Sequence, residues 1–130
     1  MTSELLKVIE RFQGKKIVIW GDFILDEYLY GTTRRISREA PVLIISYEKE
    51  EYAPGGAGNS VLNLQALGAR PVPVGVVGDD SAGEKIISLF RNKNIPVSFI
   101  IRLKKYKTPI KTRILAGEEN TRHQQVLRID

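Results

Sequence analysis

The sequence predicts an α/β fold, a parallel sheet with flanking helices plus a small antiparallel β lid, and three observations point there. Short β-branched runs at residues 15–20, 70–77 and 95–101 have the apolar character of strands buried on both faces. Helix-patterned segments separate these runs, and strands that alternate with helices pair in parallel through right-handed crossovers. The remaining strand candidates alternate apolar with polar residues, or follow one another without room for a crossover helix, which suits antiparallel pairing.

The totals bound the function. A chain of 130 residues has the length for one domain with a sizeable core, and 42% hydrophobic with 27% charged residues is ordinary globular usage. Without cysteine there are no disulfides and no thiolate metal sites, and the single histidine, His123, argues against a histidine-based zinc site. Charge is scattered through residues 1–12, unlike a signal peptide, and the apolar runs are too short to span a bilayer, so a soluble cytoplasmic protein with no membrane partner is expected. The net charge of +5 suits nucleic acid, phosphorylated small molecules or nothing specific. The basic residues cluster only at Arg34, Arg35 and Arg38 and over residues 102–107. They are not interleaved with aromatics as a stacking platform requires, so no nucleic-acid partner is expected.

Taken in order, residues 3–12 place apolar side chains at Leu5, Val8, Ile9 and Phe12, a helical spacing, with Ser3 as cap and Gly14 as terminator. The strand at 15–20 ends in Gly21 and Asp22, and a polar and aromatic stretch, 23–31, follows it. Asp26 stands in this stretch, just past the end of a strand, where α/β sheets bind ligands; its other reading is a turn or surface carboxylate. Residues 41–47 form a second kind of strand, with a charged, turning end at 48–51. A helix over 61–67 stops at Gly68, and Pro71 and Pro73 put the start of the 70–77 strand at a sheet edge or in an extended lead-in.

Asp80 or Ser81 caps the next helix, whose apolar positions are Ile86, Ile87, Leu89 and Phe90, and Ser81 with Glu84 fits the capping-box pattern. Capping, rather than metal or acid/base work, is therefore the expected role of the Asp79-Asp80 pair. After the 95–101 strand, residues 109–115 and 126–130 alternate apolar with polar around a turn at 117–120, a hairpin with one wet face.

Between the second strand candidate and its helix lies Ala53-Pro54-Gly55-Gly56-Ala57-Gly58-Asn59-Ser60. Glycines this dense leave backbone N–H groups uncovered by any Cβ, so a hydroxyl-bearing or anionic ligand can approach the main chain, and Asn59 adds a neutral donor and acceptor. A plain turn is the other reading of the same residues. No Gly-Lys-Ser/Thr follows at the spacing of a P-loop.

Together these residues resemble the N-terminal part of a ribokinase-like (PfkB) carbohydrate kinase. Gly55, Gly56, Ala57, Gly58, Asn59, Gly68 and Gly78 fall where the family's first signature asks for them, while Val61 departs from its usual Ser, Thr or Ala. Within the family the chain looks most like the heptose 7-phosphate kinase half of bifunctional ADP-heptose synthases. Residues 21–26, 35–42, 54–59, 78–83 and 111–113 carry that likeness, with Arg38 standing where the branch often has proline. The resemblance implies the N-terminal half of a ribokinase-like fold: one incomplete domain with lid segments at about 23–53 and 108–130.

It also implies a substrate site in which Asp26 accepts hydrogen bonds from two vicinal sugar hydroxyls, Gly55 and Gly56 let the sugar approach the main chain, and Asn59 reads another hydroxyl. Lys111 and Arg113, on one face of a strand, meet the phosphate of a phosphorylated sugar, with Arg34, Arg35 and Arg38 as rivals; the other reading of Lys111 and Arg113 is a solvated strand face. ATP and Mg2+ are implied for a complete enzyme. The Gly-Ala-Gly-Asp stretch that supplies the family's base and phosphate-stabilising helix is not found in these residues, so no catalytic residue is assigned and no phosphorylation by this chain alone is expected. An unpaired sheet edge or the lid is expected to favour a homo-oligomer.

Overall fold

The computed structural model describes residues 2–118 and 121–130, without the side chains of Thr2 and Ser3. In chain order the elements are α1 (Thr2–Glu10), β1 (Lys16–Trp20), β2 (Phe23–Ile36), β3 (Leu43–Gly56), α2 (Ala57–Ala66), β4 (Arg70–Gly78), α3 (Ser81–Arg91), β5 (Ile100–Leu103), β6 (Ile110–Gly117) and β7 (Gln124–Ile129). They divide into two compact units, Met1–Leu25 with Ala53–Pro109 and Asp26–Tyr52 with Ile110–Asp130.

The first unit is built on a three-stranded sheet of order β1-β4-β5, parallel throughout. β4 is therefore the central strand, but its start, where Pro71 and Pro73 stand, is paired on one side only, as at the edge expected there. The register explains how two prolines are tolerated there. Arg70 N–H donates to Lys15 on the β1 side and Gly75 N–H to Phe99 on the β5 side. Alternation then turns positions 71 and 73 toward β5, which pairs only with residues 75–78, so neither proline removes a ladder bond. For the same reason the third strand is shorter than expected: the ladder starts at Ile100, and residues 95–99 are not strand.

Phe23, Val61, Pro73, Val77, Ile86 and Phe90 are fully buried and form the centre of this unit. Phe23 and Phe90 meet edge to face, ring centroids 5.8 Å apart at 78°. α1 has the expected apolar spacing, yet Leu5, Leu6, Val8 and Ile9 are exposed. The Ser3 cap lies outside the described side chains.

The N-terminus of α3 is held by Asp80, not by a Ser81 capping box. The Asp80 carboxylate accepts from Gly83 N–H at 2.8 Å, from Thr108 N–H at 2.9 Å and from the Thr108 hydroxyl at 2.8 Å, while that hydroxyl accepts from Gly78 N–H. Glu84 is instead bound to Arg102. Burial acts to raise the Asp80 carboxyl, and the hydrogen bonds from Thr108 and Gly83 outweigh it, holding the group below the ordinary carboxylate range.

Because the folded value is the lower one, the stability Asp80 contributes is complete above about pH 4, where the unfolded carboxyl is ionised, and is lost as pH falls through the folded value. Asp80→Ala is expected to cost about 2 kcal/mol or more in urea unfolding, about 1 for the cap and the rest for leaving Thr108 unpaired. Below about pH 4 the parent's stability should fall more steeply than the variant's.

The second unit is built on a four-stranded sheet of order β3-β2-β6-β7, in which β6 and β7 are the expected antiparallel hairpin. Part of its turn, Glu119 and Asn120, lies outside the described residues. The charged segment 48–51 does not turn: β3 runs straight through it. β3 is an edge strand, where charged side chains are solvated and block further pairing, and Lys49 pairs with Glu51 at 2.6 Å while the Tyr30 hydroxyl of β2 donates to Glu51 at 3.1 Å.

Candidate functional site

The residues singled out in the sequence fall in both units: Gly55, Gly56 and Asn59 in the first, and Asp26, Lys111 and Arg113 in the second.

The glycine-rich stretch is not a turn before a helix at Val61. β3 ends at Gly56 and α2 begins at Ala57, so Gly58, Asn59 and Ser60 are already helical. Gly56 takes φ 59° and ψ −130°, a combination essentially reserved for glycine, and a Cβ there would lie 2.5 Å from the Asp22 carbonyl oxygen. That same oxygen accepts from Ala57 N–H at 2.9 Å, locking the strand-to-helix junction. Gly58 serves packing: a Cβ would lie 2.6 Å from Pro54 Cβ and 3.5 Å from the Phe90 ring, so its absence lets α2 settle on the Phe23–Phe90 pair.

The glycines thus have structural roles of their own. Gly55 is buried, Gly56 supplies a backbone conformation and Gly58 supplies room. What remains for a ligand is the first turn of α2. No side chain caps it, so the N–H groups beyond Ala57 are without a side-chain acceptor, and Asn59 lies exposed among them.

In the second unit, Arg113 Nη1 donates to Asp26 Oδ1 at 2.7 Å, with the side chains 23% and 17% exposed. The Arg113 guanidinium also lies 5.3 Å from the centre of the Tyr28 ring. The adjacent residue on each strand makes the other-face contact, with the Thr112 hydroxyl donating to Glu27 at 2.6 Å. Alternation along β6 puts Lys111 on the face of Arg113; it is half-buried and has no ion-pair partner among the described residues.

The hydrogen bond to Asp26 raises the Arg113 pKa above its ordinary value, so the guanidinium stays charged. Neither member is exhausted by the other. A carboxylate has about four acceptor sites and a guanidinium five N–H donors, and one of each is used, so Asp26 can still take two hydroxyls and Arg113 a further oxyanion. Tyr28 was not anticipated; its signal was its place two residues beyond Asp26, visible only once residues 23–31 are recognised as strand.

The rival cations lie elsewhere on this unit. Arg34 and Arg35 are exposed on the outer stretch of β2, and Arg38 is exposed in the loop beyond it. Arg34 lines a polar groove of about 770 Å³ together with Thr32, Thr33 and His123. Glu48 and Glu118 share that groove, so its charge is mixed. Among the described residues no grouping of His, Asp and Glu side chains can hold a metal ion, and no helix is long and apolar enough to cross a membrane.

Solved structures share this architecture. A carbohydrate kinase from Agrobacterium tumefaciens matches with a TM-score of 0.62 and 23% identity, covering 88% of this chain and 34% of that one. Phosphofructokinase-2 from Escherichia coli, in complex with fructose-6-phosphate, matches with a TM-score of 0.61 and 17% identity, covering 88% and 35%. The fold is that of the ribokinase-like sugar kinases. The pfkB family carbohydrate kinase model matches residues 15–123, and the chain belongs to that family.

Among curated relatives, the bifunctional protein HldE of Campylobacter concisus is 44% identical over 115 residues, covering 88% of this chain and 23% of the relative. That of Hyphomonas neptunium is 38% identical over 131 residues, covering 100% and 26%. The chain therefore spans about a quarter of the length of these relatives.

Proposed function

We propose that this chain is the sugar-binding portion of an ATP-dependent sugar-phosphate kinase that takes heptose 7-phosphate, on the route to ADP-heptose and the lipopolysaccharide core. The observation that carries the reading is the Asp26–Arg113 pair beside Lys111, which sets a hydroxyl acceptor next to two cations on one sheet face. In this reading Asp26 holds vicinal hydroxyls and Lys111 with Arg113 receives the phosphate, all within the second unit; within the first unit, Gly55, Gly56 and Asn59 at the α2 entrance are a separate candidate for main-chain and carboxamide hydrogen bonds to a hydroxyl. ATP and Mg2+ belong to the complete enzyme, and the described residues supply the sugar side rather than the base.

Calorimetry tests the phosphate assignment. Lys111→Glu is expected to weaken heptose 7-phosphate binding by at least about tenfold, about 1.4 kcal/mol, while leaving binding of the unphosphorylated heptose little changed. Equal affinity of parent and variant for the phosphorylated sugar rejects the role of Lys111.

A second reading, a non-catalytic sugar-binding or dimerisation module, is favoured by β7. This strand ends its sheet and is exposed throughout, with Val126, Leu127 and Ile129 uncovered.

A further inference from the structure

The cap of α3 takes only one of the three hydrogen bonds that the Asp80 carboxylate accepts. Gly83 N–H donates to Oδ1, as a cap requires, while the Thr108 hydroxyl donates to the same oxygen and the Thr108 N–H to Oδ2, across 28 residues of chain. Thr108 is buried, 5% exposed, and its hydroxyl also accepts from Gly78 N–H at 2.8 Å. A Cβ on Gly78 would lie 2.5 Å from the Tyr106 carbonyl oxygen and closer still to the Asp80 carboxylate, so a glycine is needed for these groups to meet. Capping explains none of the bonds to Thr108, since serine or asparagine caps a helix as well.

The residue after Thr108 gives the latch a purpose. Pro109 disfavours a helical backbone at Thr108 and fixes its own φ. Its carbonyl accepts from Leu25 N–H at 2.9 Å, and Leu25 is itself 2% exposed. An unbroken line of hydrogen bonds and peptide bonds thus runs from Asp80 through Thr108 and Pro109 to Leu25, all within the first unit. Asp26 is the residue that follows Leu25. The hydrogen bond from Arg113 orients the Asp26 carboxylate, and the bond from Leu25 N–H anchors the backbone that carries it.

We propose that Asp80 and Thr108 are positioning residues for sugar binding, holding the Pro109 carbonyl where it fixes the Leu25 peptide and hence the root of Asp26. The proposal rests on the sugar-binding reading of Asp26, so one of its two readouts is taken without sugar.

Thr108→Val removes the hydroxyl at nearly constant shape, and Thr108→Ser restores it. Deuterium exchange followed by NMR is expected to speed by at least about tenfold at the Leu25 amide of Thr108→Val, relative to the Ile95 amide, which donates to Phe90 at the other end of α3. A general loss of stability speeds both amides alike. Calorimetry with heptose 7-phosphate is expected to show an affinity about tenfold weaker in Thr108→Val, and Thr108→Ser is expected to match the parent in both measurements. If Thr108→Val does not fold, Asp80→Asn is read in the same way, because its carboxamide keeps one acceptor oxygen for Gly83 and gives up the other. Leu25 exchange that merely follows Ile95 overturns the latch, whatever the sugar result. Selective Leu25 exchange with parent affinity for the sugar phosphate overturns the positioning role and leaves the sugar site standing. No binding by the parent chain overturns the sugar-binding reading and the positioning role with it, while Leu25 exchange still reports on the latch.

Discussion

Asp26→Ala is expected to weaken binding of a sugar phosphate by at least about a hundredfold, because two hydrogen bonds to an ionised carboxylate contribute about 1.5 kcal/mol or more each and 1.4 kcal/mol is tenfold. The effect is doubly seated. The substitution removes the proposed hydroxyl acceptor, and it also releases Arg113, whose Nη1 sits 2.7 Å from Asp26 Oδ1 and whose side chain is only 23% exposed. Arg113 then turns to other acceptors or to solvent, and the cation beside Lys111 is no longer fixed. Asp26→Asn separates the two contributions, since it keeps an acceptor of the same shape while losing the charge. Its binding is expected between that of the parent and that of Asp26→Ala, measured by calorimetry with the same sugar phosphate. A parent-like affinity in Asp26→Ala contradicts the assignment.

The second large effect belongs to the core. Phe90→Ala is expected to destabilise the chain by about 3–5 kcal/mol, against a total of about 5–15 kcal/mol for an ordinary domain. Phe90 is fully buried, its ring meets Phe23 edge to face, and Gly58 is kept free of a side chain so that α2 packs on the same pair. Removing the ring therefore opens a cavity where a β-strand, α2 and α3 meet, and the backbone of the Pro54–Gly58 segment loses its support. Urea unfolding followed by circular dichroism reads the loss as a lower midpoint. A change under about 1 kcal/mol would show that this pair does not organise the unit.

Much of this architecture was legible from periodicity. The runs at 15–20 and 70–77 became β1 and β4, the helix with apolar positions Ile86, Ile87, Leu89 and Phe90 became α3 with Asp80 as its cap, and the alternating segments at 109–115 and 126–130 became β6 and β7. These succeeded because local chemistry and tertiary placement agree: β-branched residues in buried strands, and an aspartate where Gly83 N–H needs an acceptor.

The failures occur where the two part. Residues 48–51, Glu-Lys-Glu-Glu, have poor strand propensity, and only their position on the edge of a sheet makes them strand. The long β2 hides its alternation because most of its positions are half-buried on both sides. At Gly56 the backbone requirement comes from the Asp22 carbonyl, a contact invisible to any local pattern.

The candidate site divides in the same way. Asp26 was visible as a carboxylate beyond a strand, whereas Lys111 and Arg113 were named by the family resemblance. Their juxtaposition was not visible, because Asp26 and Arg113 are 87 residues apart and meet only through the neighbouring positions of β2 and β6 in the sheet. Tyr28 followed from the same pairing.

The most direct measurement is a titration of heptose 7-phosphate into this 130-residue chain with ATP and Mg2+ present, recording heat and ADP formation in the same sample. Saturable sugar-phosphate binding without ADP formation is the predicted result. Turnover of ATP by the chain alone, or no binding of the sugar phosphate, would contradict its assignment as the sugar-binding part of a kinase.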